Sequence, residues 1–117
     1  MRLPSGHLKV YLALGRTDMR KSINGLSMLV EDHLEFDPFS GHLFVFCNRR
    51  RHILKILYWD KNGFCLWQKR LEKHRFKWPA SHGEVMEIDE RTLGWLLEGL
   101  DLSRIQVHER LDYNTVI

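Results

Sequence analysis

The tetrapeptide Asp60-Lys61-Asn62-Gly63 separates two runs, "ILKILYW" and "FCLWQKRL". Both runs are rich in the β-branched, aromatic and aliphatic residues that favour strands. The Asn-Gly pair supplies positive φ, as a two-residue turn or as a turn closed by a glycine bulge. A β-hairpin over residues 53–71 follows, and it dictates much of the rest. The run "HLFVFC" lies one short polar connection ("NRRRH") upstream, so it becomes the strand before the hairpin. Leu43–Cys47, Ile53–Trp59 and Phe64–Leu71 then form consecutive antiparallel strands.

Other elements arrange around that meander. "LKVYLAL" reads as a strand ended by Gly15. Apolar residues at Ile23, Leu26, Leu29, Val30 and Leu34 fall at helical spacing, predicting a helix near Ile23–Glu35. Ser22 or Asp18 is placed to cap it, and Pro38 stops it. "RFKWP" reads as a short fourth strand of the meander and "EVMEI" as a fifth. Asp89 is placed as the N-cap of a second helix, Glu90–Glu98, carrying Leu93, Leu96, Leu97 and Leu100 on one stripe and ended near Gly99. A short strand at Ile105–Val107 closes the chain. The expected fold is α+β: one domain over residues 1–117, an antiparallel β meander flanked by two helices.

Charge divides the chain more sharply than hydropathy does. Residues 1–47 carry five Lys/Arg and five Asp/Glu. Residues 48–77 carry ten Lys/Arg against Asp60 and Glu72, a net +8. Residues 78–117 carry three against eight, a net −5. The domain thus has a basic hairpin centre (48–77) and an acidic C-terminal helix and tail (84–117). A local positive potential of this kind attracts polyanions. The candidate nucleic-acid contacts are Arg49, Arg50, Arg51, Lys55, Lys69, Arg70, Lys73, Arg75 and Lys77, joined by Arg20 and Lys21 from "TDMRK". Long basic stems can also simply cover apolar surface, and edge strands carry lysine against aggregation. Both accounts fit the pattern.

Several chemistries find no support in the residues. Asp18, Asp37, Asp60 and Glu72 are the carboxylates available to a metal-dependent nuclease, but each has a local structural use as a cap, a turn residue or a strand neighbour. The seven histidines are scattered, without H-x-x-x-H or H-E-x-x-H spacing. Cys47 and Cys65 form no C-x-x-C pair and read as packed thiols. No nucleotide-binding glycine motif appears, and no apolar run approaches the roughly 20 residues of a membrane span. The expectation is a cytoplasmic protein with no cofactor, no metal and no small-molecule substrate.

The segments "GRTDMRKSINGL", "DPFSGHLFVFCNRRRHILKILYWDKNGFCLWQKRLEKHRFKWP" and "LLEGLD" resemble the short accessory protein (TnpB type, second open reading frame) of bacterial insertion sequences of the IS66 group. The resemblance runs from about Val10 to Leu102. It departs at Ser22, at Asn24 and in the acidic tail. It implies a role in transposition beside a separate, larger transposase that carries the catalytic carboxylates. Two functions remain open. One is binding of element DNA, or of the transposase–DNA complex, through the basic centre. The other is a protein adaptor for the transposase, with Trp59 and Trp78 among its anchors and no direct DNA contact.

Overall fold

A computed structural model describes residues 8–80 and 83–99. Its elements are β1 (Val10–Ala13), α1 (Ile23–Met28) continued by a π-helical segment (Leu29–His33), β2 (Leu43–Cys47), β3 (Ile53–Asp60), β4 (Gly63–Arg70), β5 (Val85–Ile88) and α2 (Glu90–Leu97). The strands form one sheet in the order β4-β3-β2-β1-β5. The architecture is α+β, as the sequence implies.

The expected meander is present as β2-β3-β4, antiparallel throughout. The sheet as a whole is mixed, however. β1 runs parallel to β2, with Val10 opposite Leu43 and Leu12 opposite Val45. β5 then pairs antiparallel with β1. The parallel pairing is possible because the 29 residues between β1 and β2 hold a helix that crosses one face of the sheet. "RFKWP" is not a strand. Its segment is irregular, with Phe76 buried and the Phe76 N–H donating to Arg51 O at 2.7 Å. The strand expected at 105–107 lies outside the described residues.

Alternation sorts the side chains onto two faces. Val10, Leu12, Leu14, Leu43, Val45, Cys47, Leu54 and Ile56 pack with Phe76, Leu93 and Leu96, so α2 covers that face. Ala13, Phe44, Phe46 and Leu57 pack with Leu26 and Val30, so α1 and its π-helical extension cover the other. β2 is buried at all five positions, which explains its unbroken apolar run.

The first helix is too short to persist alone. Leu26 and Val30, both fully buried, hold it to the sheet at about 1.5–3 kcal/mol each. That outweighs the roughly 1 kcal/mol cost of Gly25. A Cβ at Gly25 would lie 3.3 Å from Lys21 Cβ, so the glycine lets the preceding loop pass close. Ser22 is the N-cap, but its hydroxyl makes no capping hydrogen bond. Asp18 does not cap the helix either. Its carboxylate accepts the Arg20 N–H at 2.9 Å, closing a turn ahead of the helix. By contrast, Asp89 caps α2 as expected, accepting from Thr92 N–H at 2.8 Å. Gly99, at φ +87°, ends that helix and its N–H donates to Leu96 O. At the hairpin, Asp60 pairs with Gly63 across a two-residue turn, and the positive φ falls on Lys61 (+54°) rather than on Asn62 or Gly63.

Lys55 ties the loop before α1 to the sheet. It is 8 % exposed, and its ammonium donates to Met19 O at 2.9 Å and Lys21 O at 3.0 Å. Replacing Lys55 by Met strands both carbonyls, which should cost about 1–3 kcal/mol in urea unfolding. Amide exchange in residues 17–22 should speed up with it. A fully stable Lys55→Met protein would show that the loop stands without this anchor. The two thiols differ as well. Burial pushes the Cys47 thiol up to about 11, opposed by the nearby Arg51 guanidinium, whereas Cys65 is half-buried. An aromatic disulfide reagent at about pH 8 should therefore modify Cys65 in the native protein and Cys47 only after unfolding. Prompt reaction at both would contradict the burial of Cys47.

Candidate nucleic-acid interface

The topology gathers three loops at one end of the sheet. β1 and β2 are parallel, so both reach that end with their carboxyl termini; β3 begins there and β4 returns to it. The loops span residues 14–22, 48–52 and 70–78. Together they hold ten Lys/Arg against two carboxylates, Asp18 and Glu72, and Glu84, just before β5, adds a third acid at this end. The opposite end, at the start of β1, the hairpin turn and the first turn of α2, carries Asp60, Asp89 and Glu90 against Lys9, Lys61 and Arg91. The basic excess therefore belongs to one end of the sheet.

Backbone hydrogen bonds lash the three loops together. Thr17 N–H donates to Cys47 O at 2.9 Å, joining the first loop to the last residue of β2, where the second loop starts. Leu71 N–H donates to His52 O at 2.8 Å, and Phe76 N–H to Arg51 O at 2.7 Å, joining the second to the third. Asn48 organises the middle loop. Its Oδ1 accepts from the N–H groups of His52 and Ile53, both at 3.0 Å. Arg51, at the positive φ of +61°, completes the turn. The surface is thus braced before any ligand arrives, which reduces the ordering cost of binding.

The cations named from the sequence divide into two groups. Arg20, Lys21, Arg49, Arg50, Arg70, Lys73, Arg75 and Lys77 are exposed at the basic end. Arg20 is oriented by Asp18: its Nε and Nη2 donate to the carboxylate at 2.7–3.1 Å while its side chain stays 92 % exposed. That pair, through its side-chain hydrogen bond above all, lowers the Asp18 carboxyl to about 2. Arg70 Nε donates to Glu72 Oε2 at 3.0 Å. The other three cations are spent within the fold. Lys55 is buried on the loop carbonyls already described. Lys69 Nζ donates to Leu97 O at 2.9 Å, satisfying the carboxyl end of α2. Arg51 lies half-buried with its guanidinium carbon 5.6 Å from the centroid of the Trp78 ring.

The two tryptophans expected as partner anchors sit apart. Trp78 is half-buried under Arg51, its indole N–H donating to Leu14 O at 3.1 Å. Trp59 is at the hairpin-turn end, in a cluster with Phe39 and Phe64 at centroid distances of 5.0–5.2 Å. Phe39 in that cluster is 55 % exposed. Sequence reasoning passed over three residues at the basic end: Arg16, which is exposed, and His52 and His74, which a charge count with neutral histidine ignores. Asp37 accepts the Phe39 N–H in its own turn, and Asp60 opens the hairpin. Among the described residues no three His, Cys, Asp or Glu side chains lie grouped to hold a metal ion, and no helix is long and apolar enough to cross a membrane.

Comparison with known proteins places the chain. No solved structure matches it. Two curated proteins of Sinorhizobium fredii (strain NGR234) do. The uncharacterised protein y4hO is 41 % identical over 100 residues, covering 85 % of this chain and 87 % of the relative. The uncharacterised protein y4jC is 34 % identical over 103 residues, covering 88 % of each. The family described as IS66 Orf2-like protein matches residues 8–107, which takes in the whole sheet, both helices and all three basic loops. The chain therefore belongs to the IS66 Orf2-like family, the accessory proteins of transposition in IS66 elements.

Proposed function

We propose that this protein is a non-catalytic accessory factor that holds element DNA, or the transposase–DNA complex, through the basic end of its sheet. The observation that carries this reading is the convergence of three hydrogen-bonded loops bearing Arg20, Lys21, Arg49, Arg50, Arg70, Lys73, Arg75 and Lys77, all exposed. Lysines and arginines so arranged neutralise backbone phosphates and release their counterions. Arginine adds a planar fork that grips phosphate with two hydrogen bonds. The sequence carries no recognised base-reading motif, so the proposed contacts are to the phosphate backbone.

A second reading rests on a different feature. The Phe39–Trp59–Phe64 cluster, with Phe39 exposed, offers an aromatic anchor of the kind that protein partners use. On that reading the protein is an adaptor for the transposase, and the basic end meets an acidic protein surface.

Gel mobility of labelled duplex DNA across a salt series separates the two. With about six phosphates neutralised, affinity should fall on the order of a thousandfold between about 50 and 200 mM salt. A variant that removes one exposed cation from each loop, Lys21→Ala with Arg49→Ala and Lys77→Ala, should bind more weakly. Its salt slope should flatten by roughly one for each phosphate left without its cation. A wild-type protein that retards no DNA at low salt yet captures the transposase, with capture abolished in the triple variant, would establish the adaptor.

A further inference from the structure

Between the second and third basic loops lies a depression of about 220 Å³, lined by Arg50 and His52 on one side and residues 71–75, Glu72 included, on the other. Its walls are fixed by the two backbone hydrogen bonds that tie Leu71 to His52 and Phe76 to Arg51. The ring of His52 is fixed too. Asn48 Oδ1 is committed to two backbone N–H groups, so its amide nitrogen, 3.1 Å from His52 Nδ1, is a donor. His52 Nδ1 therefore accepts, and the ring carries its proton on Nε2 as a remaining donor. Glu72, the acid among the lining residues, is engaged by Arg70 at 3.0 Å.

We propose that this depression is a discrete phosphate seat, taking one phosphate group of a nucleic-acid strand. The proposal rests on the DNA-binding reading and sharpens it to one site. Arg50, Lys73 and Arg75 bring positive charge from two sides, and His52 adds an N–H donor. A metal cation is repelled by that set, and three cations on two walls favour an anion over a base, for which the stacking surfaces are the His52 and His74 rings. Tetrahedral phosphate oxygens accept hydrogen bonds from several directions at once, whereas a planar carboxylate is met largely in one plane. Donors on both walls suit the former. A charge count could not reveal the seat, because two of its lining residues are histidines and the depression exists only when the two loops are bonded together.

The test uses the full chain and inorganic phosphate as the probe, followed by amide and histidine-ring NMR. The expected result is a saturable shift confined to His52, His74 and the amides of residues 50–52 and 71–75, reversed when duplex DNA is added. Lys73→Ala with Arg75→Ala should weaken phosphate at least about tenfold, the loss expected for charged hydrogen bonds. Lys61→Ala, an exposed cation at the opposite end of the sheet, should leave the shifts unchanged. His74→Gln gives a second, milder variant, which should weaken phosphate without altering the fold. Comparing a 5′-phosphorylated with a 5′-hydroxyl oligonucleotide identifies the source. A preference of about tenfold or more for the first assigns a terminal phosphate, and equal binding assigns a backbone phosphodiester. Unsaturable shifts spread over all exposed cations would overturn the seat, as would acetate binding as tightly as phosphate. If DNA were still retarded in either case, the broader reading would stand without the seat. Saturable phosphate binding with no DNA binding at low salt would remove the nucleic-acid assignment and the broader reading together.

Discussion

β2 can hold the centre of the sheet only if both of its faces are sealed. Its five residues are all buried, three toward α2 and two toward α1. A strand of this kind excludes water from one side no more than from the other, so a single covering helix would leave phenylalanine or leucine exposed. The two helices are therefore committed to opposite faces. The parallel return from β1 to β2 follows from the same demand, because the connection must cross the sheet and can carry α1 over Phe44 and Phe46 as it does so. Once β1 and β2 run in the same direction, their carboxyl ends emerge together. The basic loops share one end of the molecule as a consequence of how the core is closed.

Position decides what each charge can do. Lys55, Lys69 and Arg51 come from the same basic segment as Arg49 and Arg50, yet they satisfy backbone carbonyls or cover an indole ring. A lysine buried on two carbonyls keeps its charge useful to the fold and withdraws it from solution. A rough division of labour results. Within the strands Lys55 braces the loop before α1 and Lys69 the carboxyl end of α2, and most of the cations in the loops face solvent. Asp18 and Glu72 fit this scheme, each holding an arginine in a defined orientation at modest cost to the local potential.

The meander was legible because its signals are local. A polar tetrapeptide between two strand-forming runs, and a five-residue apolar strand before a polar turn, depend on nearest neighbours alone, although the positive φ fell on Lys61 and not on the Asn-Gly pair. Asp89 and Gly99 were legible for the same reason. The placement of β1 was not, since parallel pairing depends on where a crossover lands, and nothing in "LKVYLAL" records that. Nor was the irregular course of residues 75–78: Phe76 and Trp78 alternate with basic residues as a strand would, but they are drawn to the core and to Leu14 O one at a time. At the basic end, charge patterning found the surface. It could not separate Lys55 from Arg49, because strand phase against a distant loop sets that difference. Asp18 shows the limit from another side, where a residue suited to capping closes the preceding turn instead.

The pairing of β1 with β5 joins residues from near the two ends of the described chain, Val10 opposite Ile88. The β2-β3-β4 meander, by contrast, is made of neighbours. Closing a long loop costs more entropy than closing a short one, and the contacts that reward it arrive later. During synthesis the meander strands can pair early, but their α2-facing side, like that of β1, stays open until α2 is made. β1, although made first, must wait for β5 and α2 before its second edge and its outer face are covered. In that interval Val10, Leu12 and Leu14 are solvent-facing, and the nascent chain is open to association with other chains through that edge.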